Sequence, residues 1–477
     1  MGAPVQMTKK KRTLLFFNIV LSCIATSMLA TALTTALPSM VQDFEISITT
    51  GQWLTSGYSL AMGIMMPLTA FLINRFPTRR LYLVTITGFL AGLVLAVFAP
   101  NFPILMCARV LQACGNGILT SMAQVIILTI FPPEQRGTAM GWYGLSVGAV
   151  PVIAPTLAGL LIDACGWRMI FYVAIAVMVV SLIFAFFTFD NVLDTVKKKF
   201  DVSSFILSAF AFGGITLGVG NLGTYPFLSA HVLLMLVIGL AAAILFVYRQ
   251  LHLAEPFLEL RILKHREYAL SVIGSMLLYL VMMGSSVIMP LYVQSIMGYS
   301  ATISGLVILP GSLVMALISP FTGKIYDKLG MKLLFVAGGL CMLLSNFAMS
   351  LIDMNTPLWL PSFYNVVRCV SIGCLMMPII TWGTTGIDTS KTAHATALLT
   401  SLRTISGAIG SAVFVGIMTA VANHSLTTYG AQAQIHGLNM TFFAMSLASI
   451  VLLAIAVFGI RQHAKDSAAP QEAERMG

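Results

Sequence analysis

The chain has 477 residues, 58% hydrophobic and 9% charged, with a formal net charge of +10. A soluble domain averages about 25% charged residues, so a water-soluble fold of this length is excluded. Seven cysteines lie scattered, without CxxC or zinc-like spacing, which argues against a disulfide framework and a metal site.

Apolar runs long enough to cross a bilayer predict fourteen helices, at 13–38, 53–73, 81–99, 104–130, 138–162, 168–189, 203–222, 230–248, 269–294, 301–322, 333–352, 358–382, 395–422 and 440–460. The first follows KKKR but exceeds a signal-peptide core, so it is expected to remain as a helix. Loops are short, and the longest, 249–268 (RQLHLAEPFLELRILKHREY), is expected as an interfacial helix. The expected fold class is an all-α polytopic membrane protein.

An even number of spans places both termini on one face. Lys9 to Arg12, Arg75, Arg79, Arg80, Arg136, Arg249, Lys264, Lys324, Lys328 and Lys391 fall on that face, whereas the opposite loops hold only Arg168 at their edge. By the positive-inside rule the termini are expected in the cytoplasm, with the chain in the cell membrane. The basic excess is thus topological, with some attraction to anionic lipid heads, and nucleic acid is not an expected partner.

Segments repeat along the chain. TTALPSMVQ in helix 1 is similar to SSVIMPLYVQ in helix 9, and AFLINRFPTR (70–79) to GKIYDKLGMK (323–332), at offsets of 252 and 253. Two related bundles are expected at 1–190 and 269–462, with an inserted pair of helices and a linker at 191–268 and a tail at 463–477. Parallel halves around a midplane site are a transporter plan.

On these residues the chain resembles the major facilitator superfamily, in particular its fourteen-helix drug:proton antiporters of the EmrB/QacA type. The family's loop pattern Gly-x-Leu-Ala-Asp-Arg-x-Gly-Arg-Arg survives in the first half as Arg75 and Arg79, with Asn74 at the Asp position. The second half keeps Gly323, Asp327, Gly330 and Lys332. Arg109-Val-Leu-Gln112-Ala-Cys-Gly115 in helix 4, GLSVGAVPVIAPTLAG in helix 5, FPPEQRG and GWRMIF also fit. The resemblance implies the major facilitator fold and export of small amphipathic compounds by alternating access. It also implies a proton as coupling ion with no other cofactor, and a cytoplasmic gate at Asn74, Arg75, Arg79, Asp327 and Lys332. Asp327 is expected to latch the halves through basic groups, and Asn74 to make a weaker latch. Gly148, Pro151, Pro155 and Gly159 are read as a hinge or packing seam, since each proline removes a backbone donor and glycines permit close approach.

Buried polar groups supply the candidate site. Arg109, Gln112, Asn116, Thr120 and Gln124 share one face of helix 4. An embedded arginine is costly, so Arg109, Arg368 and Arg403 are read either as substrate or proton-coupling groups or as braces between helices. Candidate cavity residues are Thr31, Thr34, Thr35, Tyr58, Gln112, Asn116, Tyr279, Ser286, Asn365 and Arg368. Methionines of helix 9 (Met276, Met282, Met283, Met289) offer an adaptable apolar surface or plain filler. In the resembled family an Asp in helix 1 is implicated in coupling, and Leu29 stands there in this chain. All sixteen Asp and Glu residues map to loops, termini or helix ends. A peripheral acid such as Asp43 or Asp163, or a group other than a carboxylate, must then serve. The cavity is expected to favour neutral, zwitterionic or anionic amphiphiles. The alternatives are a dedicated lipid, fatty-acid or metabolite carrier and, more remotely, an embedded enzyme or sensor. The latter lacks HExxH, GxSxG or any buried acid cluster, so no catalytic residue is assigned. A single chain is expected to act alone.

Overall fold

The computed structural model describes residues 7–46, 48–51, 53–193, 195, 200–221, 228–253, 255–299 and 301–460. The tail at 463–477 and the side chains of Thr31, Thr34, Pro155 and Asp163 lie outside the described residues. Among the described residues there are fourteen long helices and no strand. They are α1 (Lys9–Asp43), α2 (Trp53–Arg75), α3 (Thr78–Val97), α4 (Phe102–Ile130), α5 (Pro133–Cys165), α6 (Arg168–Thr188) and α7 (Val202–Gly220). The rest are α8 (Ala230–His252), α9 (Arg266–Leu291), α10 (Ala301–Leu329), α11 (Met331–Met349), α12 (Trp359–Thr385), α13 (Thr392–Tyr429) and α14 (Ala433–Ala454). Among the described residues, thirteen stretches are long and apolar enough to cross a membrane, one in each long helix but α5. The chain is a multi-pass membrane protein.

Most helices outrun their apolar stretch, α13 by several residues at its outer end, because intrahelical hydrogen bonds continue where the chain meets the headgroups. Ends are set by local chemistry. Asn101 caps α4 by accepting from the Ile104 amide at 3.1 Å, and Asp201 caps α7 through the Ser204 amide at 3.2 Å. Gly330, at φ 76°, links α10 to α11 in one residue, a conformation that favours glycine. The interfacial helix expected at 249–268 does not form. Among the described residues between α8 and α9 there is only a 3₁₀ turn, Leu260–Lys264, and Phe257, Leu258, Leu260 and Ile262 are buried against the bundle.

The packing repeats itself eight helices on. α1 lies on α5 and α6, α2 on α4, and α3 on α4 and α6; likewise α9 lies on α13 and α14, α10 on α12, and α11 on α12 and α14. Each half has its own apolar core, around Phe89, Leu105 and Phe171 in one and around Phe335, Leu375 and Phe442 in the other. The halves meet twice in equivalent ways, α5 against α10 and α13 against α2. The helices α7 and α8 pair with each other through Gly214 and Gly239, where backbone atoms leave no space for a Cβ. α7 leans on α2 and α13, so the inserted pair sits beside the seam between the halves.

Candidate functional site

A cavity of about 520 Å³ lies between the halves, walled by α1, α2, α4, α5, α7, α9, α12 and α13. Its walls alternate methionines (Met62, Met66, Met283, Met376) with hydroxyl and amide groups (Asn116, Thr120, Tyr143, Thr216, Ser286, Thr404). No Asp or Glu lines it among the described residues. Ser27 of the hydroxyl-rich α1 and Pro151 of α5 also reach it. Of the methionines singled out in α9 only Met283 lines it, while Met289 is core.

The structure places the sequence candidates in two groups. Asn116, Tyr279, Ser286 and Arg403 line the cavity. Thr35, Tyr58, Gln112, Asn365 and Arg368 do not, and neither does Arg109. Arg109 is fully buried: its Nε donates to the Leu54 carbonyl at 3.2 Å, its Nη1 to Gln112 Oε1 at 2.8 Å, and its guanidinium lies 4.0 Å from the Tyr58 ring centroid. Gln112 in turn donates to the Gly92 carbonyl at 2.9 Å. Arg109 therefore ties α4 to α2 and, through Gln112, to α3, while its Nη2 has no hydrogen-bond partner. Arg368 follows the same plan in α12, donating to Asn365 Oδ1 and packing over Phe442, while Asn365 reaches the Ile308 carbonyl of α10.

Arg403 is different. It is only 5% exposed, lines the cavity, and lies 4.7 Å from the Tyr279 ring centroid. Its Nε and Nη1 have no hydrogen-bond partner, and among the described residues no carboxylate pairs with it.

Two seams join the halves at the basic end of the helices. At the first, Asp327 near the end of α10 accepts from the amides of Gly137 (2.8 Å) and Thr138 (2.7 Å) and from the Thr138 hydroxyl (2.5 Å) in the first turns of α5. The expected partner was a basic side chain; among the described residues Asp327 has no ion pair. It instead takes two backbone amides and a hydroxyl near the positive end of a helix dipole. Gly137 and Gly323 make this contact possible, since a Cβ on either would strike the other strand of the seam. Gly141 meets Ser319 and Gly148 meets Met315 further along, so this glycine row is a packing seam, whereas Gly159 faces open space.

At the equivalent second seam, Asn74 at the end of α2 meets His394 at the start of α13, Nδ2 to Nε2 3.0 Å. The Glu259 amide points at His394 Nδ1, 3.4 Å away. Both contacts bring an N–H group to a ring nitrogen, and a neutral imidazole can accept at only one of the two. Arg75 and Arg79 stay within their own half: Arg75 packs near Phe76, and Arg79 donates to the Phe186 carbonyl at 2.8 Å. Lys332 lies half-buried at the start of α11. Deeper in, the Thr400 hydroxyl of α13 reaches Gln124 Oε1 of α4 at 3.4 Å, adding a plug between seam and cavity.

Asp43 lies away from the cavity, at the far end of α1. It pairs with Arg168 at 2.8 Å and accepts from the Trp167 indole at 3.1 Å. The Arg168 hydrogen bond, then that of Trp167, hold its carboxyl below the ordinary carboxylate range, so Asp43 stays charged. A permanently ionised surface pair is a poor proton carrier. At the N-cap of α7, burial alone would raise Asp201, but hydrogen bonds from Ser204 and Arg249 outweigh it and bring the carboxyl down.

Fold and seams together describe two six-helix bundles joined around a shared cavity, and the sequence comparison agrees. The family model of the Major Facilitator Superfamily matches residues 15–411. The chain belongs to the major facilitator superfamily. It is similar to the uncharacterized MFS-type transporter YcnB of Bacillus subtilis (strain 168), 38% identical over 422 residues, covering 88% of this chain and 89% of that one. It is also similar to the lincomycin resistance protein LmrB of the same organism, 34% identical over 400 residues (83% and 84% covered). The multidrug export protein EmrB of Haemophilus influenzae is 25% identical over 388 residues (79% and 75% covered). This major facilitator protein is a transporter and not an enzyme.

Sequence reasoning missed much of the cavity wall, including Met62 and Met66 of α2, Tyr143 of α5, Phe212 and Thr216 of α7, Met376 of α12 and Thr404 of α13. It also missed His394. A histidine opposite Asn74 was visible only through the repeat, which equates the α2–α13 and α10–α5 junctions.

Proposed function

We propose that the chain exports small amphipathic drugs from the cell by alternating access, driven by inward proton movement. In this reading the basic face is cytoplasmic and the conformer described above is the one shut to the cytoplasm. One observation carries it: a drug-sized cavity lies between the two halves, and contacts between those halves, at residues that can separate, close it from the basic face. Pockets for such ligands occupy about 300–1,000 Å³, and methionine walls adapt to many shapes. Relatives named for lincomycin resistance and multidrug export support the same substrate range.

His394 is the coupling group in this scheme. It is buried between Asn74 and the Glu259 amide, and a proton added at Nδ1 would face the Glu259 N–H. Protonation therefore works against the closed second seam, and release of the proton to the cytoplasm restores it. Purified protein in proteoliposomes, given an imposed pH gradient and a panel of cationic, neutral and anionic amphiphiles, tests both statements. The expected result is uphill transport that collapses with the gradient, and proton flux that disappears in His394→Gln while substrate exchange continues. Transport of every compound without any gradient dependence would overturn proton drive. Unchanged proton flux in His394→Gln would remove His394 from it.

A further inference from the structure

Three arginines sit within the helices, and each leaves part of its guanidinium unpartnered: Nη2 of Arg109, Nη1 of Arg368, and both Nε and Nη1 of Arg403. Arg109 and Arg368 use backbone or amide oxygens of neighbouring residues and lie off the cavity. Arg403 lines the cavity with its Nε and Nη1 unpartnered. Burying a guanidinium without an anion is strongly unfavourable, and the tyrosine face beside it compensates only in part. A chain that merely needed to fill this position would gain stability from an apolar residue. The site therefore has what an incoming anion would complete: a fixed cation and no competing carboxylate among the described liners, beside the hydroxyls of Ser401, Thr404 and Tyr143, which donate to backbone carbonyls. Met62, Met66, Phe212 and Met376 add an apolar lining to the same cavity.

We propose that Arg403 is the anion-binding subsite of the cavity, and that the preferred cargo is an amphiphile with a carboxylate head and an apolar body. The head meets the Arg403 guanidinium, with Tyr279 holding the opposite face of that cation, and the body lies along the methionines. A lipophilic cation, in contrast, would bring like charge to Arg403 and find no counter-ion. This deepens the export reading, since it names the cargo of that same cavity, and it fixes Arg403 as a specificity-determining residue.

The test measures equilibrium binding to the full-length protein in nanodiscs, with protein-free nanodiscs subtracted to remove partition into lipid. Dodecanoate, 1-dodecanol and dodecyltrimethylammonium share a chain and differ in head charge. The expected order is dodecanoate first, by about tenfold over dodecanol, with the cation weakest. Arg403→Gln is expected to bring dodecanoate and dodecanol to within about twofold while leaving dodecanol binding in place, Arg403→Lys to keep part of the preference, and Arg109→Gln to keep all of it. Should Arg403→Gln fail to fold, the native chain still decides the matter. Its preference for dodecanoate must fade as the pH drops below that acid's own pKa, with dodecanol unaffected. Equal affinity for dodecanoate and dodecanol in the native chain, or a preference that survives Arg403→Gln, overturns the proposal. Arg403-dependent binding without uphill transport of any amphiphile would instead leave the subsite standing and remove the export reading.

Discussion

The two seams at the basic end occupy equivalent positions in the two halves and are built from different chemistry. Asp327 grips the start of α5 with a full charge on two backbone amides and a hydroxyl. Asn74 meets the start of α13 with a neutral amide on an imidazole. Charge-assisted hydrogen bonds contribute about 1.5–3 kcal/mol against about 0.5–1.5 for neutral ones. The α10–α5 seam is therefore the firm one, and the α2–α13 seam is the one a proton can change. An exporter needs both properties: a default closed state and a trigger to leave it.

The largest expected effect comes from removing the close approach itself. Gly323→Leu places a side chain where the Gly137 carbonyl already sits, so the basic end cannot shut. Uphill transport in proteoliposomes should fall by more than about tenfold, since no compensating side-chain movement can clear backbone atoms. Normal transport by this variant would mean that the α5–α10 contact is not the gate. Asp327→Asn keeps the shape and removes the charge. Loss of about 1.4 kcal/mol shifts the closed population about tenfold, read as faster labelling of the cavity residue Thr404, changed to cysteine, from the basic side. Labelling no faster than in the parent would make the two seams equal in strength.

Asn74→Asp sharpens the comparison by giving the second seam a charge. A carboxylate beside His394 favours the protonated ring, so the seam should tighten a fewfold at acidic to neutral pH. That gain should vanish as the pH rises and the ring loses its proton. A pH-independent change would separate the Asn74 contact from proton binding. The smallest effect is expected at Asp43, whose exposed pair with Arg168 is worth about 0–1 kcal/mol. Its carboxyl is held below its unfolded value, so that small stability is present at neutral pH and lost as the pH falls through the folded value. Asp43→Asn should leave transport unchanged and lower thermal stability slightly, an effect that disappears in acid.

Helix number and order were legible because apolar length acts along the chain. The polar face of α4 was legible too, but not what it faces. Its spacing of three, four, four and four drifts around the helix, so Arg109 and Gln112 point to α2 and α3, Asn116 and Thr120 to the cavity, and Gln124 to α13. Three embedded arginines look alike in sequence, and only helix rotation decides that Arg109 and Arg368 lie off the cavity while Arg403 lines it. The contribution of α7 was hidden for another reason: an inserted pair has no counterpart in the repeat, so nothing in the sequence fixes where it docks.

The central claim is that the basic end opens and closes around the cavity, and a distance across that end tests it most directly. Spin labels at Arg80→Cys and Lys328→Cys, one on each half and both exposed, would be measured by double electron–electron resonance with the seven native cysteines replaced. The account predicts a short distance that dominates at rest, and a longer one that grows with acidification and is lost in His394→Gln. A single distance, unmoved by pH or by transported compounds, would contradict it.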